Sequence, residues 1–135
     1  MRKEYRKVKK AANMKFEKNK RLAGARYEEI AAQYLSEEGY LILNRNYRNR
    51  YGEIDIVAKK EAVYIIVEVK YRGSCRCGDA LEAVDKRKQR RICRTAMHYY
   101  REHGYGMDTP CRFDVIGIYE DGSISHIEDA FEFQW

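Results

Sequence analysis

Gly52-Glu53-Ile54-Asp55-Ile56-Val57 is followed, after a short polar step, by Val63-Tyr64-Ile65-Ile66-Val67-Glu68-Val69-Lys70. Both runs read as strands, and Lys59-Lys60-Glu61-Ala62 between them reads as a hairpin tip. Three ionisable residues, Asp55, Glu68 and Lys70, stand among residues that otherwise belong to a core. Buried charge is costly unless it is paired or binds a metal. Side chains alternate along a strand, so Glu68 and Lys70 share one face, with Tyr64 and Ile66. In the first run Glu53, Asp55 and Val57 share a face, and Ile54 and Ile56 share the other. With Ala58 opposite Val63, Asp55 falls opposite Ile66 and diagonal to Glu68. The three charged side chains then converge, and a one-residue slip would separate them.

Two neighbouring carboxylates suit a hard divalent cation. Magnesium, or manganese in its place, takes oxygen ligands and keeps several waters. The carbonyl of Val69, between the two side chains, is a further oxygen. A cation held there polarises a phosphoryl oxygen and acidifies a bound water. Lys70 is placed to orient that water and to offset charge developing on phosphorus. The alternative is a surface hairpin with a Glu68–Lys70 ion pair, which would contribute little.

An acidic residue, a short strand interval and then Glu-x-Lys resembles the PD-(D/E)xK nuclease signature. The wider context resembles the YraN-like bacterial family of predicted endonucleases. The residues that carry this likeness are Gly24, Glu28, Ala31, Tyr34-Leu35, Gly39-Tyr40, Asn46, Gly52-Glu53-Ile54-Asp55, Val67 to Arg72, Gly78, Lys88-Gln89, Ala96, Arg112 to Val115 and Asp129-Ala130-Phe131. The resemblance runs from about Leu22 to Phe131. It implies an α/β fold with a restriction-endonuclease-like core, a mixed sheet flanked by helices in the order α-β-β-β-α-β-β, similar to archaeal Holliday-junction resolvases. By position it implies metal ligation by Asp55 and Glu68, a catalytic role for Lys70, and an acidic residue at Glu28 on the first helix. Cys77 departs from the family pattern, where an aromatic residue is usual before Gly78.

The 135 residues suffice for one core, and 44% hydrophobic content places the chain among globular proteins. Charge is uneven. Residues 1–21 hold ten Lys/Arg against two Glu, whereas the whole chain is only +6. The surplus therefore lies in the first 21 residues, and 22–135 form a single, nearly balanced domain. The basic segment reads as a disordered extension, or as a weak helix on a partner through Tyr5, Val8, Ala12 and Phe16. Either way it adds sequence-independent affinity for phosphate. No apolar stretch follows it to make a secretory signal, and no run is long enough to span a bilayer.

Tyr27, Ile30, Ala31, Tyr34 and Leu35 recur at helical spacing, predicting a helix from about Leu22 to Glu38 that ends at Gly39. Glu28 borders that stripe and either leans toward the charged hairpin or is solvated. A strand follows over Leu41 to Tyr47. A second helix is predicted from about Asp79 to Arg101, with Leu81, Val84, Lys88, Ile92, Ala96 and Tyr99 inward. A lysine on an apolar stripe must snorkel out or meet an anion. We expect Lys88 to reach the carboxylates or the scissile phosphate, with Gln89 a weaker candidate. Lys86, Arg87, Lys88, Arg90, Arg91 and Arg94 put six bases in nine residues. With Arg72, Arg76 and Arg48 they favour nucleic-acid binding, because phosphate contacts need charge and read no sequence. Tyr51 and Tyr71 are candidates to stack on bases.

Two last strands are predicted over Arg112 to Tyr119 and Ser123 to Ile127, joined at Asp121-Gly122. Asp114 is expected to pair with Arg112 or a helix base. Phe131, Phe133 and Trp135 are expected to cover the core. His98, His103 and His126 read as surface residues. Cys75 and Cys77 lack zinc-site spacing, and four thiols without an export signal fit a reducing cytoplasm. The expectation is a magnesium- or manganese-dependent endonuclease acting on branched or structured DNA, with no small-molecule cofactor. The alternative is a nucleic-acid-binding module on a nuclease fold. Resolving a symmetric junction takes two active sites and so implies a homodimer, although no dimer surface can be read here.

Overall fold

The computed structural model describes residues 4–8, 20–74 and 80–134. Its elements are β1 (Glu4–Val8), α1 (Lys20–Glu37), β2 (Leu41–Asn49), β3 (Gly52–Lys60), β4 (Val63–Gly73), a 3-10 turn (Ala80–Ala83), α2 (Lys86–Glu102), β5 (Cys111–Tyr119) and β6 (Ile124–Phe131). Among the described residues the strands form one sheet in the order β1-β6-β5-β4-β3-β2. Only β4 and β5 run parallel, and α2 is the crossover between them. The chain is thus α/β, with a mixed sheet flanked by helices, and from α1 onward its elements follow the expected order.

The two helices lie on opposite faces. The apolar stripe of α1, with Ile30, Ala31, Tyr34 and Leu35, buries against Ile56, Ile65, Val67, Ile116 and Ile118. Ile92, Ala96 and Tyr99 of α2 bury against Ile54, Val57, Ile66, Val115 and Ile127. Gly39, at φ +92°, ends α1 in the left-handed conformation that glycine adopts without a Cβ clash.

Several expectations change. The segment Glu4–Val8 is an edge strand antiparallel to β6, where a disordered extension or a weak helix had been expected. Backbone pairing with a sheet edge outweighs the propensity of so short an isolated helix. Cys75, Arg76, Cys77, Gly78, Asp79, Trp135 and residues 9–19 lie outside the described residues. The second helix begins at Lys86, not Asp79. Asp85 caps it by accepting from the Lys88 N–H at 2.8 Å, which satisfies a donor that the first turn leaves open. Strand β6 continues to Phe131, whose ring stacks on Phe113 with centroids 5.0 Å apart. Phe133 packs beside that pair.

His126 is the largest reversal. It is fully buried, not on the surface. Its Nδ1 meets the Tyr34 hydroxyl at 2.7 Å and its Nε2 meets Asp114 Oδ2 at 2.7 Å. Arg112 donates to both oxygens of the same carboxylate at 2.8 Å. Partners 12 and 92 residues apart in sequence satisfy the histidine, which is why local reading placed it outside. His103 is exposed and His98 is half-buried.

Candidate active site at the fork of two strands

The hairpin is tighter than expected. Lys59 and Lys60 pair with Tyr64 and Val63, so only Glu61 and Ala62 turn, with Glu61 at φ 56°. Ala58 therefore pairs with Ile65 instead of Val63. That shift of two residues preserves which face each β4 side chain takes. Continued one step past Ile56–Val67, it sets Asp55 opposite Glu68 instead of Ile66.

The ladder stops there. Strand β3 pairs with β4 only over Ile56–Lys60, and β4 continues beside β5 alone. The two strands fork, and Asp55 lies in the crotch. Its Oδ2 accepts a hydrogen bond from the Val69 N–H at 2.8 Å, so a side chain serves the donor left open by the missing ladder. Alternation also breaks here. Ile54 packs in the α2 core and Ile56 in the α1 core, where they had been expected to share a face. On the neighbouring strand Arg45 bonds Glu29 of α1, while Tyr47 meets Tyr99 of α2. Asn46, between them, has φ 55°. This left-handed residue, which asparagine tolerates better than most, reverses the pleat and directs Asp55 sideways toward β4.

Groups from both faces reach this fork. From α1, Glu28 hydrogen-bonds Asp55 and is also bonded by Asn46. From α2, Lys88 Nζ stands 3.5 Å from Glu68 Oε1, and Lys70 Nζ stands 3.6 Å from the same atom. Glu68 is only 6% exposed. Burial, and then the Asp55 charge, raises its pKa to about 7 against the pull of Lys88 and Lys70. Burial and Asp55 likewise raise Glu28 to about 7. Burial also raises Asp55, opposed chiefly by the Val69 N–H and then by Lys88.

The donor chemistry fits a hard cation. Among the described residues no group of three or more His, Cys, Asp or Glu side chains is placed to hold a metal ion. Asp55 lies near enough to both Glu28 and Glu68 for its charge to raise their carboxyls. Magnesium commonly takes one or two carboxylates and retains water, so a pair with shared excess charge suits it. Asn46 was not singled out from the sequence as a site residue. Asn46 carried a signal, because an asparagine within a strand marks a place where left-handed backbone is tolerated.

The basic residues Lys86, Arg87, Arg90, Arg91 and Arg94 are all exposed on α2. Arg87, Arg90, Arg91 and Arg94 line a shallow groove with Tyr51. Arg72 is half-buried and lies along Gly117, its Cγ 3.6 Å from where a Cβ there would stand. Arg48 forms an exposed pair with Glu53 at 3.5 Å. Gln89 turns inward and donates to the Val84 carbonyl at 2.9 Å, away from the fork. No helix among the described residues is long and apolar enough to cross a membrane.

Comparison with known proteins places the chain. Residues 27–118 match the Uncharacterised protein family UPF0102. A UPF0102 protein of Lachnoclostridium phytofermentans is 47% identical over 84% of this chain and 96% of its own length. One from Shewanella oneidensis is 41% identical over 80% of this chain and 97% of its own. Among solved structures, Pyrococcus furiosus SfsA in complex with Ca2+ is similar at 14% identity. That likeness covers 78% of this chain and 62% of the SfsA chain, with a TM-score of 0.29. On the span of the family match and the identity of these relatives, the chain belongs to the UPF0102, or YraN-like, family.

Proposed function

We propose that the protein is a metal-dependent endonuclease that hydrolyses phosphodiester bonds in branched or structured DNA, in the manner of PD-(D/E)xK enzymes. The observation that carries this reading is the convergence of Glu28, Asp55, Glu68, Lys70 and Lys88 at one fork in the sheet. Burial first, and then the Asp55 charge, raise the carboxyls of Glu28 and Glu68 to about 7, well above the ordinary carboxylate range. Perturbed groups of this kind mark functional sites.

In this reading Asp55, Glu68 and the carbonyl of Val69 hold magnesium or manganese, whose Lewis acidity would act on the phosphoryl oxygen and a water. Lys70 orients the attacking water. Lys88, set 3.5 Å from Glu68, balances the carboxylate and lies toward an incoming phosphate. Glu28 holds Asp55 in place or accepts the water's proton. The arginines of α2 bind the phosphate backbone without reading sequence.

A second reading has its own support. Glu68 already has two ammonium partners and Asp55 a backbone donor, so the fork is internally satisfied. That would suit a nucleic-acid-binding module in which the carboxylates only brace the strands. The test separates the two. The protein is incubated with four-way junctions, flaps and linear duplex in magnesium or manganese, and then in EDTA. Metal-dependent cleavage that is lost in Asp55→Asn and Glu68→Gln while binding persists is the expected result. Binding with no cleavage of any of these substrates would establish the module instead.

A further inference from the structure

Tyr27 and Tyr71 stack face to face beside the fork. Their ring centroids are 4.3 Å apart and their planes differ by 1°. Each is the chain neighbour of a proposed site residue, Tyr27 of Glu28 and Tyr71 of Lys70. Tyr71 follows Val67 and Val69 in the alternation of β4, so it lies on the α1 side of the sheet, opposite Glu68 and Lys70. It remains 41% exposed, and it is the only aromatic among the exposed large hydrophobic residues of the described chain. The Tyr71 ring also lies over Gly73. Gly73, at φ +61°, has no Cβ, and one built there would approach Tyr71 Cε2 to 3.7 Å. The ring is thus stacked on Tyr27 and partly open to solvent, with cationic residues on either side of it in the chain, Lys70 and Arg72.

We propose that the Tyr27–Tyr71 stack is a platform for an unpaired nucleobase next to the phosphate held at the fork. The inference rests on the nuclease reading only for the position of that phosphate. Lys70 and Tyr71 take opposite faces of β4, but β3 no longer pairs with β4 beyond Val67, so a nucleotide whose phosphate lies by Lys70 can turn around that open edge to bring its base to Tyr71. A π-face receives any base, because stacking needs no hydrogen-bond code. A base inside a continuous duplex is already stacked on both sides and cannot present its face to a side chain. The platform therefore selects nucleic acid with unpaired or splayed nucleotides at the cut, such as a flap, a bulge or a junction centre. It gives the preference for branched substrates a physical origin in this chain, separate from the metal chemistry.

The experiment measures binding without metal, so that its result does not depend on cleavage. Full-length protein in EDTA is titrated into a flap oligonucleotide carrying 2-aminopurine at the unpaired position, and into a fully paired duplex of the same sequence. Wild type is expected to quench the 2-aminopurine. Tyr71→Ala should lose the quenching and bind the flap roughly ten-fold more weakly, with duplex affinity unchanged, in line with the contribution of one stacked base. Tyr71→Phe, which keeps the ring, should behave as wild type and guards against a folding defect in the alanine variant. Equal weakening on flap and duplex, or unchanged quenching in Tyr71→Ala, overturns the platform. Cleavage assayed in parallel reports on the nuclease reading by itself. Selective quenching without any cleavage would keep the platform and remove the enzyme.

Discussion

Asp55 Oδ2 and the Val69 N–H, 2.8 Å apart, join two strands at the point where their backbone ladder ends. A proposed metal ligand therefore also satisfies a backbone donor. Deleting the side chain does two things at once. Asp55→Ala leaves that N–H without its acceptor, and we expect a loss of about 1–3 kcal/mol in urea unfolding. Asp55→Asn keeps an acceptor oxygen and should lose less than about 1 kcal/mol. Loss of activity in the asparagine variant then speaks about chemistry. Equal destabilisation by both substitutions would mean that charge, not the hydrogen bond, holds the fork.

Metal binding at the fork should register as stability. A cation that binds only the folded chain adds about 2.7 kcal/mol at a hundred times its Kd. Melting temperature should therefore rise with manganese or magnesium in wild type and stay flat in Asp55→Asn and Glu68→Gln. Flat curves for all three proteins across millimolar metal would count against ligation there.

The fork shows how far the sequence could be read. Period-two alternation placed Glu68 beside Lys70, and the lone Lys88 on the α2 stripe marked a charge in need of an anion. Both judgements used local spacing, which strands and helices obey closely. The reversal of pleat at Asn46 and Asp55 is invisible to alternation, because it depends on one residue adopting φ 55°. The turn at Glu61-Ala62 was misjudged because Lys59 and Lys60 are polar yet paired. His126 escaped because its partners come from α1 and β5, and no sequence window spans them.

Gly52 opens the Gly-Glu-Ile-Asp stretch for a steric reason. At φ +156° a Cβ would stand 2.9 Å from Arg91 Cγ and 3.1 Å from Thr95 Oγ1. Gly52→Ala should cost about 1–3 kcal/mol in backbone strain. Part of the clash falls on a flexible arginine, so Gly52→Ala combined with Arg91→Ala should recover part of the loss. Full recovery in the double variant would show that contact with Arg91, not backbone conformation, explains the glycine.

The arginines of α2 are expected to act through phosphate alone. Each of Arg87, Arg90 and Arg94 changed to alanine should weaken binding about equally across unrelated DNA sequences. Each backbone contact removed should lower the slope of log K against log salt by about 0.9 on duplex. A variant that changes sequence preference but leaves the salt slope alone would place that arginine on base edges.

Asp114 carries the clearest pH dependence of stability. Burial alone would raise its pKa, but hydrogen bonds from His126 and Arg112 outweigh that and hold it below the usual carboxylate range. A folded pKa lower than the unfolded one means that the unfolded chain takes up the proton first. The stabilisation is therefore complete above about pH 4, the ordinary carboxylate value, and is lost as pH falls through the lower folded value. Asp114→Asn leaves Arg112 with only the more distant Glu128 carboxylate, 4.0 Å away, and should cost about 3 kcal/mol at pH 7, the low end for a broken buried pair because Arg112 retains that partner and some solvent. Chemical unfolding of wild type and Asp114→Asn from pH 7 to pH 2.5 tests the sign. The gap between the two proteins should hold constant down to about pH 4 and then narrow. A gap that widens on acidification would mean that the carboxyl is protonated in the folded protein, and that the bidentate Arg112 contact does not carry an ion pair.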